Sequence, residues 1–131
     1  MTKAEGSFDI LSGDETIYEE RGGGAKLAHA WGAQRFSGDI AGEGSVHWLM
    51  AYGSDRTAHY VGLQRITGSL DGREGSFIIA AQGQFNGTSS RGTWSVVEGS
   101  GTAGLAGITG TGSFEAPGGP RATYQLDYRL G

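Results

Sequence analysis

Apolar and polar residues alternate along most of this chain with a period of two, the spacing of a strand that buries one face. The pattern predicts strands at "SFDILS" (7–12), "LAHAWGAQRF" (27–36), "GEGSVHWLMAY" (42–52), "AHYVGLQRITG" (58–68), "EGSFIIAAQGQF" (74–85), "SRGTWSVV" (90–97), "ITGTGSFEA" (108–116) and "ATYQLDYRL" (122–130). No segment repeats its apolar residues at helical spacing. Short strands with glycine-rich turns between them, and no break in composition, predict one all-β domain spanning 1–131: an eight-stranded antiparallel barrel.

Turn chemistry turns this pattern into a register. Asp71-Gly72 suits a two-residue hairpin whose central positions both need positive φ. It sets Ile66 against Phe77, Gln64 against Ile79 and Gly62 against Ala81. Asn86-Gly87, read the same way, sets Ile79 against Trp94 and Phe77 against Val96. A four-residue turn at Gly53–Arg56 sets Leu49 against Tyr60 and His47 against Gly62. Side chains alternate, so these pairs collect one face: Ser45, His47, Leu49, Tyr60, Gly62, Gln64, Ile66, Phe77, Ile79, Ala81, Trp94 and Val96. Tyr124 and Tyr128 on the last strand join it. The other face holds Arg65, Gln82, Arg91, Thr93 and Ser95, so the first is assigned to the barrel interior. Trp48, Met50, Val61 and Leu63 then form an apolar outer patch, as expected of a homo-oligomer interface.

Composition narrows the function classes. Twenty-six glycines against two prolines, dispersed without a three-residue period, suit turns and curved strands. A net charge of −4 offers no basic stripe for nucleic acid and no attraction to acidic membrane surfaces. Without cysteine there is no disulfide framework, thiolate nucleophile or sulfur-ligated zinc. No apolar stretch reaches the roughly 18 residues of a membrane helix, and the first residues lack the apolar region of a leader, so the expected location is cytoplasmic. The acidic residues Asp14, Glu15, Glu19 and Glu20 beside "RGGGAK" read as a solvated loop.

His47 interrupts an apolar run and is the candidate for chemistry. Facing Gly62 and flanked by Tyr60 and Gln64 in this register, an imidazole there would orient a ligand or serve as a general base. The interior residues Ser45, Leu49, Gly62, Ile66, Phe77, Ile79, Ala81, Trp94, Val96, Tyr124 and Tyr128 are the expected ligand-binding wall. An eight-stranded barrel either fills itself or holds one small ligand, and the small residues Ser45, Gly62, Ala81 and Gly83 favour a cavity. The expected partner is a small apolar or aromatic molecule, with no cofactor. No metal site is expected, since His47 and His59 point to opposite faces and so share no ion. Two alternatives stand beside ligand binding. One is a cofactor-free isomerase, cyclase or proton-abstracting eliminase, with His47 as base and Gln64 or Tyr60 donating to the developing anion. The other is a structural oligomer with a packed interior.

The strings "FSGDIAGEGSVHWLMAY", "YVGLQRITGSLDGREGSF", "GTWSVVEGSGTAGLAGITGTGSFEA" and "YQLDYRL" together resemble the bacterial family known as domain of unknown function 3224, from Phe8 to Leu130. The resemblance implies a barrel similar to those of allene oxide cyclases and other lipocalin-like, calycin-like proteins, assembled as an oligomer. It implies no reaction. It also implies an acidic residue where this chain has His47, glutamate where it has Gln64, and histidine where it has Ala81, so a family pattern of interior polar groups is altered here.

Overall fold

In the computed structural model, which describes residues 1–131, the strands are β1 (Thr2–Gly22), β2 (Ala25–Gly38), β3 (Ile40–Tyr52), β4 (Ala58–Leu70), β5 (Arg73–Phe85), β6 (Ser90–Val96), β7 (Thr109–Ala116) and β8 (Arg121–Arg129). Each pairs antiparallel with the next, and β8 returns to β1, closing the barrel. The one helical element is a 3-10 turn, Ala103–Leu105. No helix is long and apolar enough to cross a membrane.

The hairpins account for the register. Asp71 and Gly72 both take positive φ (56° and 73°), as a type I′ turn requires, and the pairs Ile66–Phe77, Gln64–Ile79 and Gly62–Ala81 form as expected. The next hairpin differs. Asn86 accepts from the backbone N–H groups of Thr88 and Ser89 through Oδ1, which makes Asn86–Ser89 a four-residue turn and places Ile79 against Val96 and Ala81 against Trp94. That slip is two residues, so every side chain keeps its face. At the β3–β4 turn the slip is one. Gly53 N–H donates to the Thr57 carbonyl, Asp55 Oδ1 accepts from the Thr57 hydroxyl, and Arg56 takes a φ of 71°, giving a five-residue turn, Gly53–Thr57. Leu49 therefore opposes Val61, and His47 opposes Leu63. A one-residue slip turns a strand over. Ser45, His47 and Leu49 face outward, while Val46, Trp48 and Met50 face the interior.

The acidic segment is likewise not a loop. Asp14, Glu15, Glu19 and Glu20 lie within β1 and pair with Trp31, Ala30, Leu27 and Lys26 of β2. Acidic side chains suit this position, because β1 beyond Asp9 has lost β8 as a neighbour and presents a free edge. The geometry of closure explains the free edge. Followed around the ring from Asp14 through Trp31, His47, Leu63, Ala80, Ser95, Thr111 and Asp127, the register returns to β1 at Lys3. The strands are thus steeply tilted, and the top of β1 overhangs the β7–β8 turn.

The interior is dominated by aromatic rings: Phe8 and Phe36 (centroids 5.1 Å apart), Trp94 stacked on Tyr124 (5.5 Å), and Trp48 edge-on to Tyr60 (4.8 Å). Many rings lie over a glycine of a neighbouring strand. A Cβ on Gly83 would stand 2.7 Å from the Tyr60 ring, one on Gly92 2.7 Å from Phe114, one on Gly44 2.8 Å from Phe36, and one on Gly62 would collide with Trp48. One end of the barrel is sealed by the β6–β7 connection, whose Leu105 and Ile108 are buried in the same cluster as Ile40 and Leu70. Near that end Tyr124 donates to the Ser37 carbonyl and accepts from Ile40 N–H, tying β8 to the β2–β3 turn. Arg121 pairs with Asp9 across the β1–β8 seam and holds the Asp9 carboxyl below its ordinary range, mainly through their hydrogen bond.

Gly44→Ala tests the ring-over-glycine contact, because its first obstruction is a side chain, with backbone only at 3.4 Å. The expected loss is about 1–3 kcal/mol by urea denaturation. Combined with Phe36→Leu, the loss is expected to be smaller than the sum of the two single changes.

Candidate functional site

Of the residues expected to line a site, the structure turns eleven inward: Tyr60, Gly62, Gln64, Ile66, Phe77, Ile79, Ala81, Trp94, Val96, Tyr124 and Tyr128. Most of them pack against one another in the core, and none borders the interior cavity described below. His47 stands on the opposite side of the wall from Tyr60 and Gln64. The Tyr60 hydroxyl bonds instead to Ser90 Oγ, and burial raises its pKa. His47 and His59 both lie on the outer surface, which corrects the expectation that they face apart. His47 pairs there with His29, whose Nε2 lies 3.0 Å from His47 Nδ1. Of the expected outer apolar patch, Trp48 and Met50 are inside. Val61 and Leu63, about half exposed, remain outside and are joined by Leu49.

A cavity of about 390 Å³ lies against the upper halves of β1, β2 and β3, with Ile10, Gly13, Glu15, Ala30, Gly32, Gln34, Val46, Trp48 and Tyr52 on its walls. The sequence makes room for it. Along β2 the residues that alternate inward are Ala28, Ala30 and Gly32 before Gln34, so this wall carries almost no side-chain volume. The missing β8 neighbour above Asp9 leaves the barrel one strand short at the same height.

Two polar pairs mark the cavity. Deep in the barrel, Gln64 Nε2 donates to Gln34 Oε1 at 2.8 Å. Gln64 is fully buried and its Oε1 has no partner, as is true of Trp94 Nε1. Gln34 Nε2 makes no bond within the protein and is not sealed in the way those atoms are, leaving a donor at the cavity wall. At the mouth the Tyr52 hydroxyl donates to Glu15 Oε1 at 2.6 Å. Burial, and then the neighbouring carboxylate, push the Tyr52 pKa strongly upward, so the phenol stays protonated as a donor. Lys26 Nζ rests 4.9 Å from the centre of the Tyr52 ring. The site thus offers an open, partly apolar chamber with the Trp48 ring on its inner wall, an amide donor at its depth, and Tyr52 with the carboxylates of Asp14 and Glu15 towards its mouth.

Four of these residues escaped sequence reasoning. Trp48 and Tyr52 were hidden by the one-residue slip, and Glu15 by reading its segment as a loop. Gln34 had a usable signal: a lone polar residue ending a run of small residues on one face of a strand.

A family model described as protein of unknown function (DUF3224) matches residues 4–128. A crystal structure of a protein with unknown function from the same family, from Shewanella oneidensis MR-1, is similar at 26% sequence identity and a TM-score of 0.79, over 100% of this chain and 98% of that one. No curated protein matches the chain.

The glutamine pair gives a stability test. Gln34→Met alone strips Gln64 of its one partner and is expected to cost about 1–3 kcal/mol, whereas Gln34→Met with Gln64→Met removes both partners and is expected to be near neutral or stabilising. Denaturation midpoints of the two variants check this.

Proposed function

The chain belongs to the DUF3224 family, and we propose that it binds a small, largely apolar or aromatic molecule in the upper half of the barrel, seated against Trp48, with an oxygen of the ligand accepting from Gln34 Nε2. The observation that carries this reading is the buried Gln34–Gln64 pair beside an open chamber. Gln34 Nε2 stands at the chamber wall with no acceptor inside the protein and is open to the chamber, whereas Gln64 Oε1 behind it is sealed. A ligand carbonyl or hydroxyl supplies the missing acceptor, and Glu15 with Tyr52 forms the polar rim it passes. Catalysis by His47 gains no support, because its imidazole lies outside the wall that holds Gln64 and Tyr60.

The outer surface supports a second reading, self-association. Leu49, Val61 and Leu63 are 53%, 51% and 55% exposed and adjacent across β3 and β4, an apolar patch of the kind found at subunit interfaces.

Titration with a neutral naphthylamine dye, followed by its fluorescence, tests the first reading. Saturable binding that weakens about tenfold or more in Trp48→Ala, a loss of roughly 1.4 kcal/mol, and persists in Val61→Ser supports the interior site. Binding lost in Val61→Ser and retained in Trp48→Ala rejects it. Sedimentation of the same Val61→Ser protein checks the second reading, the expected outcome being a smaller particle than the unsubstituted chain forms.

A further inference from the structure

We propose that the ligand of the interior chamber is a cation: an amine on an apolar, aromatic body, with its ammonium group at the mouth beside Asp14 and Glu15 and its oxygen acceptor at Gln34. This rests on the reading of the chamber as a ligand site, to which it adds the charge and orientation of what is held.

The chamber wall carries charge of one sign. Asp14 and Glu15 border it, and no arginine, lysine or histidine does. Neither carboxylate belongs to an ion pair, the pairs of the protein being Arg21–Glu19, Arg35–Glu43 and Arg121–Asp9. Lys26 stands over the Tyr52 ring but off the chamber wall. Each of the two carboxylates has one oxygen committed: Glu15 Oε1 accepts from the Tyr52 hydroxyl, and Asp14 Oδ1 from the Glu15 backbone N–H. Glu15 Oε2 and Asp14 Oδ2 remain, and an ammonium group has donors enough to meet both. Two aromatic residues border the same end, Tyr52 and Trp31, the latter opposite Asp14 across β1 and β2. A cation is attracted by carboxylates and by ring faces alike, whereas an anion is repelled by the carboxylates.

The far end is marked independently. Gln34 is 4% exposed, and its Nε2 opens onto the chamber without a partner in the protein. Asp14 stands opposite Trp31 and Glu15 opposite Ala30, three and four residues along β2 from Gln34. At strand rise that is a span of about 10–13 Å. A naphthalene with a short polar substituent at each end has this length.

The test uses three 2-acetylnaphthalenes that differ only at C6, carrying aminoethyl, hydroxyethyl or carboxymethyl, titrated at neutral pH and followed by their fluorescence. The amine is expected to bind about fivefold tighter than the alcohol, and the acid more weakly than either. In Asp14→Asn/Glu15→Gln the amine-to-alcohol ratio is expected to fall to within about twofold of unity. Both replacements keep an oxygen for the bonds from Tyr52 and the backbone, so the mouth stays formed. Glu74→Gln, beside the β4–β5 turn at the sealed end, is expected to leave the ratio unchanged. An amine preference that survives the double substitution overturns the proposal. Equal binding of all three compounds, lost together in Trp48→Ala, overturns the cation assignment while the chamber stands as a ligand site. No binding of any of them overturns both.

Discussion

The architecture depends on aromatic rings laid over glycines of neighbouring strands. An eight-stranded barrel has a narrow interior, and Phe8, Phe36, Trp48, Tyr60, Trp94, Phe114 and Tyr124 all point into it. They fit because the positions beneath several of them carry no side chain: Tyr60 lies over Gly83, Phe114 over Gly92, Trp48 over Gly62, Phe36 over Gly44. Each ring covers the backbone that glycine leaves bare and gains contact area that a ring standing upright would lose. Much of the chain's glycine is therefore a packing device, complementary in size to its large aromatic residues.

The same constraint places the chamber. Where rings lie over glycines the barrel is full, from the plug of Leu105 and Ile108 up to Trp48 and Tyr60. Along the upper part of β2, small residues recur with no ring laid over them, and β1 has there run past the start of β8. Tilt and small side chains thus act at one height, and the hydrogen-bonded pairs Gln34–Gln64 and Glu15–Tyr52 occur where apolar filling stops. The proposed binding site is a region where the packing rule is suspended.

Most of the fold was legible in the sequence. Alternation marked all eight strands, and Asp71-Gly72 set the β4–β5 register without error, because a two-residue turn with two positive φ angles leaves no freedom in pairing. Longer turns were less legible. At Asn86 the loop grew by two residues, and the interior assignments of Trp94 and Val96 survived. At Gly53 it grew by one, and His47 exchanged places with Trp48. The length of that turn is decided by Asp55 and Thr57, whose side chain and backbone bonds close five residues where four would also have connected the strands.

By itself, then, the sequence determined an all-β chain of eight strands, the interior faces of β4, β5, β6 and β8, and the burial of Gln64, since each follows from alternation or from a turn with one solution. Only the tertiary structure decided which face of β3 looks inward, that β1 runs on as a free acidic edge, and that Glu15, Gln34, Trp48 and Tyr52 surround one chamber. It alone joined His29 to His47. These relations are set by turn closure and by the stagger of strands around the ring, which couple residues that no local pattern connects.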